Sequence, residues 1–165
     1  MSLKTMACEV FSIPGAVFAL WGKPTVADLE RVWNALQAAT DACGHPVLYV
    51  TRIPVNSPPP DAAARVRLDA MMPRISQVCS SYHVVLEGEG FGAALKRGIL
   101  LGLFQLCWRQ KTFFVHATVE EVFDHLPTEL RPVAHAIVQA ARAQGLLVGP
   151  PLVSVPPAQP QTARR

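Results

Sequence analysis

The spacing of apolar positions changes several times along the chain, and each change marks an element. Residues Ala7 to Ile13 and Ala16 to Trp21 are short apolar stretches separated by the turn signal Pro14-Gly15, which predicts a β-hairpin. Lys23-Pro24 ends it. Thr25, with Asp28 three residues on, opens a helix through a variant of the capping box. Val26, Leu29, Trp33, Leu36 and Thr40 then recur at helical spacing, with Asp28, Glu30 and Arg31 off that stripe, until Gly44 stops the helix.

Val47-Leu48-Tyr49-Val50 is an unbroken apolar run, the pattern of a strand covered on both faces. A loop with Pro54 and the triplet Pro58-Pro59-Pro60 follows; three prolines in a row favour extended polyproline II geometry and cannot sit inside a helix. Asp61 is a suitable N-cap for the next helix. Its apolar face carries Ala64, Leu68, Met71, Met72, Ile75, Val78 and Cys79, and Pro73 predicts a kink. This reading ends the helix at Cys79-Ser80-Ser81 and starts a strand at Tyr82, running to Leu86.

Glu87-Gly88-Glu89-Gly90 is a sharp turn. The helix predicted from Phe91 to Trp108 is apolar almost all round, as in a helix buried in its own fold or against a partner. Lys111 to His116 reads as a fifth strand, and Thr118 with Glu121 as a capping box for a short helix ending at Leu126. The last helix spans Thr128 to Gln144, with a stripe of Leu130, Val133, Ile137, Val138 and Ala141, and Gly145 as its cap. After Gly149 the chain reads PPLVSVPPAQPQTARR, a proline-rich tail with no expected fixed structure.

The order β-β-α-β-α-β-α-β-α, plus a C-terminal helix, predicts a single α/β domain over residues 1–149. Its sheet is five-stranded and mixed, with one antiparallel pair and later strands made parallel by crossovers, packed with four to five helices. Composition agrees. Half of the 165 residues are apolar, 16% are charged and the mean hydropathy is +0.25, which suits a packed core. The net charge of +3 includes Arg164 and Arg165 at the end of the tail, so the rest is near neutral and no basic stripe points to nucleic acid. The four cysteines are scattered without Cys-x-x-Cys spacing, giving neither a zinc pattern nor a disulfide framework. The dense apolar run Gly98 to Trp108 is shorter than the roughly 20 residues a membrane span needs. A cytoplasmic location is the default expectation.

This element order resembles the STAS fold of bacterial anti-sigma-factor antagonists and of sulfate-transporter tails. The resemblance covers about residues 7 to 126. PVLYVTRI stands where that family's third strand stands, and the apolar helix after EGEGFG occupies the place of one of its helices. In the antagonists the loop after the third strand carries a phosphorylatable serine in an Asp-Ser-Ser or Asp-Ser-Thr motif. Here it reads TRIPVNSPPPDAAAR, without that motif and with Ser57 as its only serine. The resemblance implies a STAS-like, non-enzymatic module for protein–protein interaction in a bacterial regulatory or signalling system. The partner would be a protein, with a homodimer as one form.

On this reading the docking face is the loop 53–60 with the following helix. Arg52, Asp61 and Arg65 supply polar contacts, Met72 belongs to an apolar patch, and Ser57 is the candidate phosphorylation site. Arg65, Arg67 and Arg74 form the helix's polar side. An alternative is a small-molecule site for a nucleotide or lipid, or an enzyme, in the crevice at the strand ends, lined by Glu87, Glu89 and His116. A third reading is a homo-oligomeric structural protein that uses the helix from Phe91 to Trp108. His83 and His116 fall in neighbouring strands and are placed to approach each other across the sheet. No cofactor motif, catalytic motif or metal-ligand spacing stands out.

Overall fold

The computed structural model describes residues 8–107 and 112–147, with the backbone alone at 103–107. The chain runs β1 (Glu9–Ile13), β2 (Ala16–Leu20), α1 (Val26–Cys43), β3 (Val47–Ile53), α2 (Ala62–Val78), β4 (Cys79–Leu86), α3 (Gly90–Cys107), β5 (Phe113–His116), α4 (Glu120–Asp124), a 3-10 turn (Thr128–Leu130) and α5 (Arg131–Ala143). The five strands form one mixed sheet in sequential order, with β1 antiparallel to β2 and the other pairs parallel. This is the α/β architecture the pattern predicts. The proline-rich tail, Trp108 and Lys111 lie outside the described residues.

The helix starts follow local chemistry. Thr25 accepts from the Asp28 amide, and the Asp28 carboxylate accepts from the Thr25 amide, closing the capping box of α1. Gly44 takes the left-handed conformation that ends it. Asp61 Oδ1 accepts from the Ala64 amide at 2.8 Å and caps α2. α2 is one continuous helix through Pro73.

The sequential strand order sorts the helices by face. With each crossover joining adjacent strands, α1, α2 and the inner side of α3 cover one face of the sheet. Their core holds Leu36, Met71 and Met72 against Tyr49, Tyr82 and Val84. α4, the 3-10 turn and α5 cover the other face, where Ile137 and Val138 pack against Phe18, Leu48 and Val50. β2 and β3 lie under helices on both sides, which is why their apolar runs are unbroken.

Two strands are longer than their apolar runs. β3 continues through Thr51 and Arg52 to Ile53, because those polar side chains find partners across the sheet: Thr51 Oγ1 donates to the Tyr82 hydroxyl at 3.4 Å, and Arg52 pairs with Glu87. β4 begins at Cys79, so Cys79-Ser80-Ser81 opens a strand instead of closing a helix. A register irregularity at Val47/Leu48 accommodates the extra residue, and Ser81 is buried with a partner of its own. Cys8 and Cys79 are buried free thiols, raised by burial away from reactivity.

Candidate functional site

Three features gather at or near the carboxyl ends of the strands: an apolar hollow under the proline loop, a polar crevice beyond β4 and β5, and a buried histidine pair on the opposite face. The residues singled out in the sequence distribute among them unevenly.

Arg52 is not a surface contact. Its Nε and Nη2 hold the two Glu87 oxygens at 2.8 and 2.9 Å, and its Nη1 donates to the Leu146 carbonyl at 2.7 Å. The guanidinium thus ties the ends of β3 and β4 to the segment after α5. Met72 is only 1% exposed and sits in the core between α2 and the sheet, so it cannot form part of an apolar docking patch. The helix periodicity that named it is real, but its apolar stripe faces inward. Arg67 pairs with Glu30 of α1, Arg74 lies over the Trp33 ring at 4.3 Å while still exposed, and Arg65 is exposed to solvent.

Ser57 faces inward as well. Its hydroxyl donates to the Trp21 carbonyl at 3.0 Å, and its amide donates to the Pro54 carbonyl at 3.0 Å. The serine clamps the loop onto the end of β2, and a phosphoryl donor would have to break that clamp first. Asp61 works as a cap. Asp61→Ala is expected to cost about 1 kcal/mol of stability, because one helix-end amide loses its acceptor; urea denaturation checks this, and no loss would mean the cap is replaced by water.

Beneath the loop is a hollow of about 210 Å³. Trp21, Ile53, Tyr82 and Val84 of the sheet form its floor, Ala64 and Leu68 of α2 one wall, Leu100 of α3 another, and Pro58 to Pro60 its cover. Tyr82 is fixed by stacking on Tyr49, ring centroids 4.4 Å apart, and by an edge contact to Phe113 at 5.1 Å. The sequence marked the loop but not the hollow. Its lining comes from six separated segments, and no local pattern announces such a convergence.

The crevice beyond β4 and β5, about 510 Å³, holds Glu87, Glu89, Arg97 and Glu120. His116 is not in it; that histidine is 2% exposed and lies on the α4 side of the sheet. Glu87 is spent on Arg52, and Glu120 pairs with Arg142. Arg97 folds back over the glycine turn and donates to the Leu86 and Gly88 carbonyls at 3.1 and 3.0 Å. Gly88 has a φ of +123°, and a Cβ there would come within 2.8 Å of Val55 Cγ2, so only glycine lets the proline loop rest on this turn.

The histidines do meet. Ser81 Oγ lies 2.6 Å from His83 Nε2, and His83 Nδ1 lies 2.9 Å from His116 Nε2. Phe114 stacks on His83 at 5.0 Å, and His125 of the α4 end tilts over His116 at 5.1 Å. In either direction of proton donation the chain is complete with both imidazoles neutral. Burial and the neighbouring histidines push His83 down to about 3, and burial with His125 pushes His116 down to about 4, against the partial upward pull of Glu121 and Asp124. A serine, a histidine and a second histidine in line have the connectivity of a nucleophile, a base and an orienting group. Here Ser81 is 5% exposed and His83 is fully buried, so no substrate reaches the hydroxyl. Among the described residues no group of three or more His, Cys, Asp or Glu is arranged to hold a metal ion, and no helix is long and apolar enough to cross a membrane.

A row of exposed large apolar side chains marks a different surface. Phe91, Leu95 and Ile99 are 84%, 51% and 54% exposed and stand four residues apart on the outer side of α3. Gly98 and Gly102 lie on the same helix, and a Cβ added at either would meet nothing within 4 Å. Val55 of the proline loop, also exposed, sits beside the start of this helix. The all-round apolar character of the sequence carried the signal, but not which side would be left open.

Fold and site together define an α/β domain with an exposed apolar helix face and an apolar hollow. No protein-family model, no curated protein and no solved structure matches the chain.

Proposed function

We propose that this protein is a non-enzymatic interaction module, STAS-like in its element order, that docks a protein partner in a bacterial regulatory or signalling system. A cytoplasmic location fits that role. The docking face is the outer side of α3 together with the adjoining edge of the proline loop. This moves the contact from α2, whose apolar stripe is internal, to the neighbouring helix.

The observation that carries the reading is the exposed row Phe91, Leu95 and Ile99. Exposed apolar side chains scattered singly are ordinary, but a contiguous helical row is characteristic of an interface. Its neighbours Gly98 and Gly102 add to the argument. Each glycine inside a helix costs roughly 0.5–1 kcal/mol relative to alanine, and nothing in the fold requires their small size, since the space around both is open. A partner helix seated close against α3 would require it. The partner's surface is therefore apolar and helical. A second copy of this chain, pairing α3 with α3, is the competing occupant of the same face.

Two variants test the face. Phe91→Glu with Leu95→Glu should abolish capture of the partner in a pull-down and leave the unfolding midpoint nearly unchanged. Gly98→Ala with Gly102→Ala should raise the stability of the isolated chain by about 1–2 kcal/mol and yet weaken docking, a pairing of effects that a purely internal helix would not show. Light scattering across a concentration series assigns the occupant: mass doubling that the glutamate variant abolishes identifies a second copy. If both variants retain wild-type capture and wild-type mass, the α3 face is not the docking surface.

A further inference from the structure

The hollow beneath the proline loop is separate from the outer face of α3. We propose that it is a binding site for a compact, uncharged small molecule bearing an aromatic ring system. The site lies on the inner side of α3, at Leu100, and does not depend on the outer row.

Size, chemistry and rigidity each narrow the ligand. A dry apolar cavity of about 150 Å³ accepts benzene, so a hollow of about 210 Å³ has room for a fused bicyclic ring or a ring with a short substituent. No charged side chain lines it among the described residues. The Ser57 hydroxyl is bonded to Trp21 O, and the Tyr82 hydroxyl receives the Thr51 hydroxyl. The remaining polar side-chain atom of the lining residues is the buried Trp21 Nε1, which has no hydrogen-bond partner among the described residues. A carboxylate or phosphate would find no cation to meet it. Trp21 and Tyr82 present aromatic surface, with Tyr82 fixed in orientation by its contacts to Tyr49 and Phe113.

The cover explains why the hollow does not collapse. Pro58, Pro59 and Pro60 hold extended geometry without hydrogen bonds of their own. The segment is anchored on one side by the Ser57 clamp to β2 and on the other by the Asp61 cap of α2. A stiff cover pinned at both ends keeps the space preformed, as small-molecule sites usually are. The position also fits, since α/β sheets receive ligands at the carboxyl ends of their strands.

Indole is the probe of choice, because it matches the volume and carries no charge. With the full chain, indole should bind saturably and raise the melting temperature. Intermolecular NOEs should connect it to methyl groups of Ile53, Leu68 and Leu100. Indole-3-acetate, the same ring with a carboxylate, should bind at least tenfold more weakly. Leu68→Trp, which fills the hollow, should reduce indole affinity at least tenfold, whereas Leu68→Ala, which enlarges it, should keep binding. Absence of saturable binding overturns the proposal. So do NOEs to residues outside the hollow, or tighter binding of the carboxylate than of indole. The NOE arm decides the matter if Leu68→Trp does not fold.

Discussion

Acidification from pH 7 to pH 5 is expected to lower the stability of this protein by several kcal/mol, with most of the loss arising at His83 and His116. The two imidazoles are neutral, buried and bonded to each other, with folded-state values of about 3 and about 4 against 6.5 in the unfolded chain. Below pH 6.5 the unfolded chain therefore binds protons that the folded chain refuses. Stability is fully present above that value and is lost as pH falls, until each folded-state value is reached. The slope is about 1.4 kcal/mol per pH unit for each group, so two groups give on the order of 4 kcal/mol by pH 5. Urea midpoints at pH 7, 6 and 5 measure it. His83→Leu with His116→Leu and Ser81→Ala should flatten the dependence across this window. A wild-type midpoint that does not move between pH 7 and pH 5 would refute the buried neutral pair. Because α4 and its His125, Glu121 and Asp124 lie over His116, this edge of the fold should lose amide protection first in hydrogen exchange.

Arg52→Ala is expected to cost about 2–4 kcal/mol, somewhat less than the roughly 3–5 kcal/mol for breaking a fully buried ion pair, because Glu87 is 32% exposed. The side chain is 13% exposed and makes three charge-assisted bonds. Its removal leaves the Glu87 carboxylate and the Leu146 carbonyl without a donor, and this unmet desolvation dominates the cost. For a chain of this length the melting temperature should fall by roughly 4–16 °C. Arg52→Lys should recover less than half of the loss, since an ammonium cannot span both carboxylate oxygens and the carbonyl at once. Differential scanning calorimetry of the three proteins tests this. A wild-type melting temperature for Arg52→Ala would return Arg52 to the surface role that its sequence position suggests.

Much of the architecture was legible in the chain because the signals are local. The Thr25–Asp28 box, the Asp61 cap and the Gly44 terminator each act within three or four residues. The apolar runs of β2 and β3 announce a sheet covered on both sides. The approach of His83 to His116 was legible too, since it requires only that their strands be neighbours. The strand ends were less so. Thr51 and Arg52 look like loop residues until their partners across the sheet are known, and Ser80 and Ser81 look like a helix end until the register irregularity opposite Val47/Leu48 is seen.

The sequence by itself determined the alternation of strands and helices, the caps that start them and the hydrophobic periodicity that builds the core. Only the tertiary structure decided how those apolar stripes are used. Met72 and Leu95 both stand on apolar helical stripes, yet one is sealed against the sheet and the other is open to solvent. The Arg52–Glu87 tie joins residues 35 positions apart, the His83–His116 bond joins residues 33 apart, and the hollow draws its lining from strands, helices and a loop. Periodicity is set by each residue's relation to its near neighbours along the chain. Which face is covered, which charge is paired and where space remains depend on how the strands are ordered, and that is a property of the whole fold.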